Sequence, residues 1–240
     1  AKVLRTLSII CVAFGATAAM AQDFPVTVEH AFGETVVAER PERVASVGWA
    51  NHEVPLALGI VPVGFARASW GDDDGDGLLP WVTEALDELG AEVPTLFDEG
   101  DGIDFEAVAS TQPDVILAAY SGLSQSDYET LSRIAPVIAY PEAAWTTTWR
   151  EMIRQNAAGL GMAEEGDAMV AEIETRIETA RAEHPELAGK TGMFAWPHPK
   201  RCVTPVRQEN IQAASVQNGS TYLKTWMWWS PMAIRHGWMS

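Results

Sequence analysis

The chain has 240 residues, 47% of them hydrophobic and 20% charged, the balance of a soluble globular protein with one or two domains. Its formal net charge of −17 makes nucleic acid and anionic membrane surfaces poor partners.

Residues 1–21 read as a signal peptide. Lys2 and Arg5 form a basic start, Leu7–Gly15 an apolar centre, and Ala19-Met20-Ala21 a small-x-small cleavage site before Gln22. The apolar run is too short to span a membrane. Ser8-Ile9-Ile10 before Cys11 is a poor lipoprotein cleavage box, so a soluble exported protein, most simply periplasmic, is expected. Cleavage removes Cys11 and leaves Cys202 alone, which excludes an intrachain disulfide and a Cys-based metal site from the expected mature chain.

Val26–Ala38 alternates apolar and polar residues around Phe32-Gly33 and predicts a small hairpin. A first βα unit is expected from Arg43 to about Leu58, with Val44-Ala45-Ser46-Val47 leading into Gly48-Trp49. Val61–Phe65 is the next expected strand, and Leu79–Leu89 a helix with Pro80 in its first turn. Asp104 caps a helix through Ser110, and Asp114–Ala118 is a strand that runs into Tyr120-Ser121-Gly122. Ser124 or Ser126 caps a helix through Ile134, Val137–Ala139 is a further strand, and Thr146–Leu160 is amphipathic. Ala163–Glu183 is the longest helical pattern, with Met169, Val170, Ile173, Ile177 and Ala180 on one stripe and Glu172–Arg176 as a supporting pair. Thr191–Trp196 reads as a strand of something new.

Short buried strands followed by small residues and helices mark βα units of a parallel sheet, an α/β fold. Ligands collect at the carboxyl ends of such strands, where Trp49 and Tyr120 fall. Trp49, Trp70 and Tyr120 sit in loops beside glycines and are candidates to stack on a ligand, whereas Trp81 and Trp149 lie inside helices and read as core. Trp145 belongs to the same aromatic set. Arg67 follows a strand and can pair with an anionic ligand or form a surface salt bridge; the sequence leaves both open.

The run Asp72-Asp73-Asp74-Gly75-Asp76-Gly77 begins like a calcium loop, but Thr83 occupies the last-ligand position and Pro80 interrupts it, so a solvated acidic loop is expected. The five histidines show no metal-site spacing, and His52 is expected to be a polar surface or capping residue. GxSxG and GxxxxGK are both absent, so no catalytic residue, metal ligand or cofactor is assigned.

His30-Ala31-Phe32-Gly33, Pro41–Gly64, Phe105–Tyr140, the Trp149–Gly161 helix and Ala163–Gly192 together resemble the periplasmic iron–siderophore-binding proteins of ABC importers. These belong to a two-lobe class joined by one long helix, which also includes vitamin B12 and some metal-ion binders. The resemblance implies a Rossmann-like amino-terminal lobe over 22–161, an interlobe helix over 162–184 and the start of a second α/β lobe over 185–196. It implies a monomer that binds a ferric siderophore and delivers it to an inner-membrane permease. Carried over by position, Trp49, Arg67, Trp70, Tyr120 and Ser121 are the ligand-binding candidates, and Asp127 or Glu129 the permease contact. The alternatives are a cobalamin or metal-ion binder of the same class and, from another class, an exported α/β hydrolase.

The resemblance stops at Trp196. Residues 1–196 carry a charge of −21 and residues 197–240 a charge of +4, four of the ten tryptophans fall in Trp226–Trp238, and periodicity disappears. The second lobe is therefore expected to be truncated, with 197–240 an out-of-frame or spurious ending.

Overall fold

The computed structural model describes residues 24–190. The signal peptide expected at 1–21, the strand expected at Thr191–Trp196 and the tail from Pro197 lie outside the described residues.

The chain opens with the predicted hairpin, β1 (Val26–His30) paired antiparallel with β2 (Gly33–Val37). A five-stranded parallel sheet follows, built from β3 (Val44–Ser46), β4 (Gly64–Ala66), β5 (Thr95–Phe97), β6 (Val115–Ala118) and β7 (Val137–Ala139). Its order is β5-β4-β3-β6-β7. The strands are short and bury nearly every residue, as strands covered on both faces must. β4 starts later than its apolar run because Pro62 has no N–H to give; sheet bonding begins where the Val63 N–H reaches the Val44 carbonyl at 2.8 Å. β5 was not visible as a strand in the sequence: it is a three-residue edge strand whose Thr95 is exposed and whose Phe97 is fully buried.

Six helices, α1 (Glu53–Ala57), α2 (Pro80–Glu88), α3 (Phe105–Ser110), α4 (Gln125–Leu131), α5 (Trp149–Gly159) and α6 (Ala163–Glu183), cover the sheet. Alternation along each strand divides the core. Ala45, Val47, Ile116, Ala118, Val137 and Ala139 face α3 and α4. On the other face, Val44, Val115, Leu117 and Ile138 meet the hairpin and the end of α5, and Phe65 meets α1 and α2. The expected caps form at Asp104, whose side chain accepts from the Ala107 N–H, and at Ser124, which makes a capping box with Asp127; Thr148 and Glu151 make a further one, so α5 starts later than the pattern expected from Thr146.

α6 spans its predicted range and is about 30 Å long. Its first half packs on α5 through buried Gly166, Val170 and Ile173, with Met169 and Ile177 half-buried. From Glu178 onward every described residue is exposed, so Ala180 does not extend the buried stripe. Glu172 and Arg176 do not pair; Arg150–Glu174 and Arg154–Asp167 tie α5 to α6, and Arg181 pairs with Glu178 within α6. No helix among the described residues is long and apolar enough to cross a membrane.

Candidate functional site

The chain lays β3, β4 and β5 outward in one direction and then returns to place β6 and β7 on the other side of β3. The reversal therefore falls between β3 and β6, and the crevice at their carboxyl ends is where this topology seats ligands. Two loops meet there. The Val47 N–H donates to the Leu117 carbonyl at 3.0 Å and the Trp49 N–H to the Tyr120 carbonyl at 3.2 Å. Gly48 has φ +74°, and a Cβ on it would lie 2.8 Å from both the Tyr120 carbonyl oxygen and Ser121 Cβ, so only glycine allows this approach.

Asn51 fastens the two loops from beneath. Fully buried, it donates from Nδ2 to the carbonyls of Val47 at 2.8 Å and Tyr120 at 2.9 Å, and its Oδ1 accepts from the Tyr120 N–H and from Asn156 Nδ2, each at 3.0 Å. Every hydrogen-bonding capacity of the amide is thus engaged. Through Asn156 the crevice is tied to α5, and through α5 to α6.

The side chains on this edge are mostly aromatic. Tyr120 meets Trp145 edge to face, with ring centroids 5.3 Å apart. The Trp145 indole lies directly on Gly122, where a Cβ would come within 2.4 Å of Nε1. Trp145 is 50% exposed and Trp70, on the loop after β4, is 52% exposed. Trp49 is half-buried between the α5/α6 and α1/α2 cores. Arg67, immediately after β4, is exposed and makes no salt bridge among the described residues, which removes the surface-pair alternative within this lobe.

Glu99, on the loop after β5, is the acid of the crevice. Both of its carboxylate oxygens lie 3.1 Å from the Gly48 nitrogen and accept its N–H. Burial pushes its carboxyl above the usual range while the Gly48 N–H pulls the other way. In the neighbouring loop, the Asp72 carboxylate accepts from the N–H groups of Gly75 at 2.7 Å and Gly77 at 2.8 Å and so shapes the acidic turn. Two concavities among the described residues lie elsewhere, one by the hairpin at His30 and Pro141 and one along α6 at Glu174 and Thr179.

Trp49, Arg67, Trp70 and Tyr120 therefore share the carboxyl edge expected of them. Ser121 is on the same loop but is 1% exposed, and its hydroxyl donates to the Ala118 carbonyl at 2.8 Å, so here it shapes the loop instead of offering a hydroxyl to a cleft. Asp127 is bound into the α4 capping box, accepting from the Ser124 N–H and hydroxyl, whereas Glu129 is exposed and accepts only from Gln125 Nε2 at 2.9 Å. Trp81 packs in the helix layer, donating to buried Glu53 at 3.1 Å, and Trp149 packs against the α5/α6 core with the Arg150 guanidinium 4.3 Å over its ring.

His52 departs from the expectation of a surface or capping side chain. It is buried, stacks on Phe65 at 4.3 Å, makes no side-chain cap, and burial lowers its pKa to about 3. The roles of Glu99 and Asn51 and the placement of Trp145 are not marked by any motif in the sequence. Each depends on contacts across tens of residues, and only the Trp145 ring, a large aromatic after a strand, carried a local signal.

A family model of periplasmic binding proteins matches residues 44–215, well over half the chain. The chain belongs to that family. It is a family of binding proteins, in keeping with a rim built of aromatic rings around a guanidinium that makes no salt bridge among the described residues. Among solved structures, PiaA of Streptococcus pneumoniae TIGR4 in complex with ferrichrome is 49% identical, with a TM-score of 0.66, over 69% of this chain and 55% of that one. A periplasmic solute binding protein of Mycobacterium smegmatis is 30% identical with a TM-score of 0.63, over 69% of this chain and 57% of that one. The probable siderophore-binding lipoprotein YfiY of Bacillus subtilis is 27% identical over 167 residues, 69% of this chain and 47% of that protein. The chain thus spans about half the length of these relatives.

Proposed function

We propose that this chain captures a ferric siderophore in the periplasm for an ABC importer and delivers it to an inner-membrane permease. The observation that carries the reading is the rim at the β3/β6 crevice: Trp49, Trp70, Tyr120 and Trp145 beside an Arg67 with no salt bridge among the described residues. Aromatic faces suit a bulky organic chelate, and the guanidinium suits its oxygen atoms. A bare metal ion would need converging His and carboxylate ligands; the group of this kind among the described residues, Asp72, Asp74 and Asp76 with carboxylate oxygens within 4.8 Å of one another, lies on the acidic loop after β4 and includes no histidine. The likeness to ferrichrome-bound PiaA and to YfiY supports the same ligand class.

The test is tryptophan-quenching titration of the chain with ferric hydroxamate, catecholate and citrate complexes, alongside cobalamin and zinc. Quenching by at least one ferric chelate, and weaker response to cobalamin and zinc, is expected. Tight binding of cobalamin or zinc with no response to any ferric chelate would move the assignment to that rival.

The permease contact is assigned to Glu129, because Asp127 is held in the helix cap and Glu129 presents its carboxylate to solvent. Glu129→Ala should slow siderophore-dependent uptake while leaving chelate binding intact. Export is assigned to the three-part pattern of residues 1–21, so the mature protein in the periplasmic fraction should begin at Gln22. A lipid-modified amino terminus at Cys11 would replace free diffusion by membrane anchoring.

A further inference from the structure

We propose that Gly122 is a positioning residue of the binding edge: it seats the Trp145 indole, so that Trp145 and Tyr120 stand as a fixed right-angled corner against the ligand. The inference rests on the siderophore reading and adds to it how the rim is held in shape.

The corner is built by the segment that follows β7. Thr147 Oγ1 donates to the Ala119 carbonyl at 2.7 Å, the Trp145 N–H to the Ser121 carbonyl at 3.0 Å, and the Tyr140 hydroxyl to the Leu123 carbonyl at 2.9 Å. Residues 140–147 are thus strapped along the crevice loop, bonded at every second carbonyl. Tyr140 and Thr147 at the ends are buried, whereas residues 142–146 between them are exposed.

In the middle of the strap, local preference is broken. The Thr146 N–H reaches the Ala143 carbonyl at 3.3 Å and closes a four-residue turn with Trp145 in third place, at φ +59°. That left-handed backbone suits glycine and is an outlier for a bulky side chain. Glycine would serve the turn better, yet the position carries an indole that is 50% exposed. A residue that strains the backbone and leaves half its surface in water does little for the stability of the lobe, and strain of this kind gathers at sites of use.

Gly122 completes the corner from below. A Cβ on it would lie 2.8 Å from Trp145 Cε2 and 3.0 Å from Cζ2, and closer still to Nε1. Gly48 needs to be glycine for its own φ of +74° and for the Tyr120 backbone beside it. Gly122 lies outside the left-handed region, and the three atoms nearest to an added methyl all belong to the Trp145 ring. The exposed ring can swing out to make room, so the backbone survives a methyl at Gly122 and the corner does not. With the indole seated, its plane meets that of Tyr120 at 84°. Two rings fixed in this way before a ligand arrives avoid the entropy cost of ordering an exposed side chain on binding.

The experiment titrates ferrichrome, a ferric tris-catecholate and ferric citrate by tryptophan quenching into the native chain, Gly122→Ala, Trp145→Ala and the double variant. Near-UV circular dichroism and urea unfolding are recorded for each. Gly122→Ala should weaken the chelates that the native chain binds by about threefold to tenfold, the range for one aromatic contact. It should also alter the near-UV signal of the Tyr120–Trp145 pair without lowering the urea midpoint. Trp145→Ala should weaken the same chelates at least as much. In the Trp145→Ala background, Gly122→Ala should change affinity by less than about twofold, because no ring is left to displace. A glycine needed only for folding would lower the urea midpoint in both backgrounds, and that result would overturn the seat. So would equal chelate affinity in the native chain and Gly122→Ala, with the siderophore reading intact. Response of the native chain to no ferric chelate would overturn both.

Discussion

At the amino edge of the sheet, the Asp114 carboxylate accepts the backbone N–H groups of Glu42 and Arg43, and the Arg43 guanidinium reaches the carbonyls of Thr111 and Gln112. At the carboxyl edge, Arg67 makes no salt bridge among the described residues, Trp70 and Trp145 stand half exposed, and Glu99 holds a single backbone N–H. The same five strands end in both places. Both edges commit polar groups to the fold, Asn51 and Asp72 at the carboxyl edge as well as Asp114 and Arg43 at the other, but the exposed aromatic rings and the Arg67 guanidinium stand at the carboxyl edge. Stability and binding should therefore respond to different residues, and the sharpest tests are substitutions that force one edge to behave like the other.

The largest effect is expected just beneath the binding edge, at Asn51. Asn51→Leu keeps the volume but strands the Val47 carbonyl, the Tyr120 N–H and Asn156 Nδ2, all buried or part-buried, while the Tyr120 carbonyl keeps the Trp49 N–H. Several buried groups left unpaired should cost about 3–5 kcal/mol, read as a lower midpoint in urea unfolding. A loss below about 1 kcal/mol would mean that the two crevice loops are held by something else, and that the binding edge floats free of α5.

Acid should come next. His52 is neutral in the folded chain because burial lowers its pKa from 6.5 to about 3, whereas the unfolded chain takes up the proton below pH 6.5. Its contribution is complete above pH 6.5 and is lost as pH falls from there toward 3, by about 1.4 kcal/mol per unit. Near pH 4.5 that is about 3 kcal/mol. His30 moves in the same direction, since burial lowers its pKa too and the Phe32 N–H needs Nδ1 unprotonated. His52→Phe should flatten most of the acid limb of a stability–pH profile; an unchanged limb would show that the imidazole is not what acid attacks.

Much of this was legible in the sequence because the signals were local. Ser124 and Asp104 cap the helices that follow them, and the apolar spacing of Ala163–Glu183 marks that helix from end to end. Spacing alone did not say that the packing of α6 on α5 fades after Ile177, because that depends on how far α5 reaches. β5 escaped notice because three residues on an edge carry too little alternation. Glu99 was one acid among several in its loop until the fold brought it to Gly48, 51 positions away. Ser121 is the opposite case: the sequence places it on the crevice loop, but only the fold shows its hydroxyl buried and donating to the Ala118 carbonyl.

Arg67 tests the binding half of the contrast. Arg67→Ala should weaken a bound ferric chelate by about 1–3 kcal/mol, the range for a lost charge-assisted hydrogen bond, with Trp70→Ala acting in the same sense. Neither should move the urea midpoint by more than about 0.5 kcal/mol, since both side chains are exposed. Unchanged affinity in both variants would return them to ordinary surface residues.

Asp114→Ala is the counterpart at the other edge and should have the smallest effect. The side chain is exposed, so water can replace it at the Glu42 and Arg43 N–H groups. The cost is then the net worth of ordinary hydrogen bonds, about 1 kcal/mol, and not the penalty for buried unpaired donors. Chelate affinity should not change, because Asp114 stands at the start of β6 while the crevice opens at its far end. Measured together, Arg67→Ala and Asp114→Ala should give opposite patterns, affinity without stability in one and stability without affinity in the other. If Asp114→Ala also weakened the chelate, the two edges would be coupled through the sheet, and the division of labour drawn from their hydrogen bonding would fail.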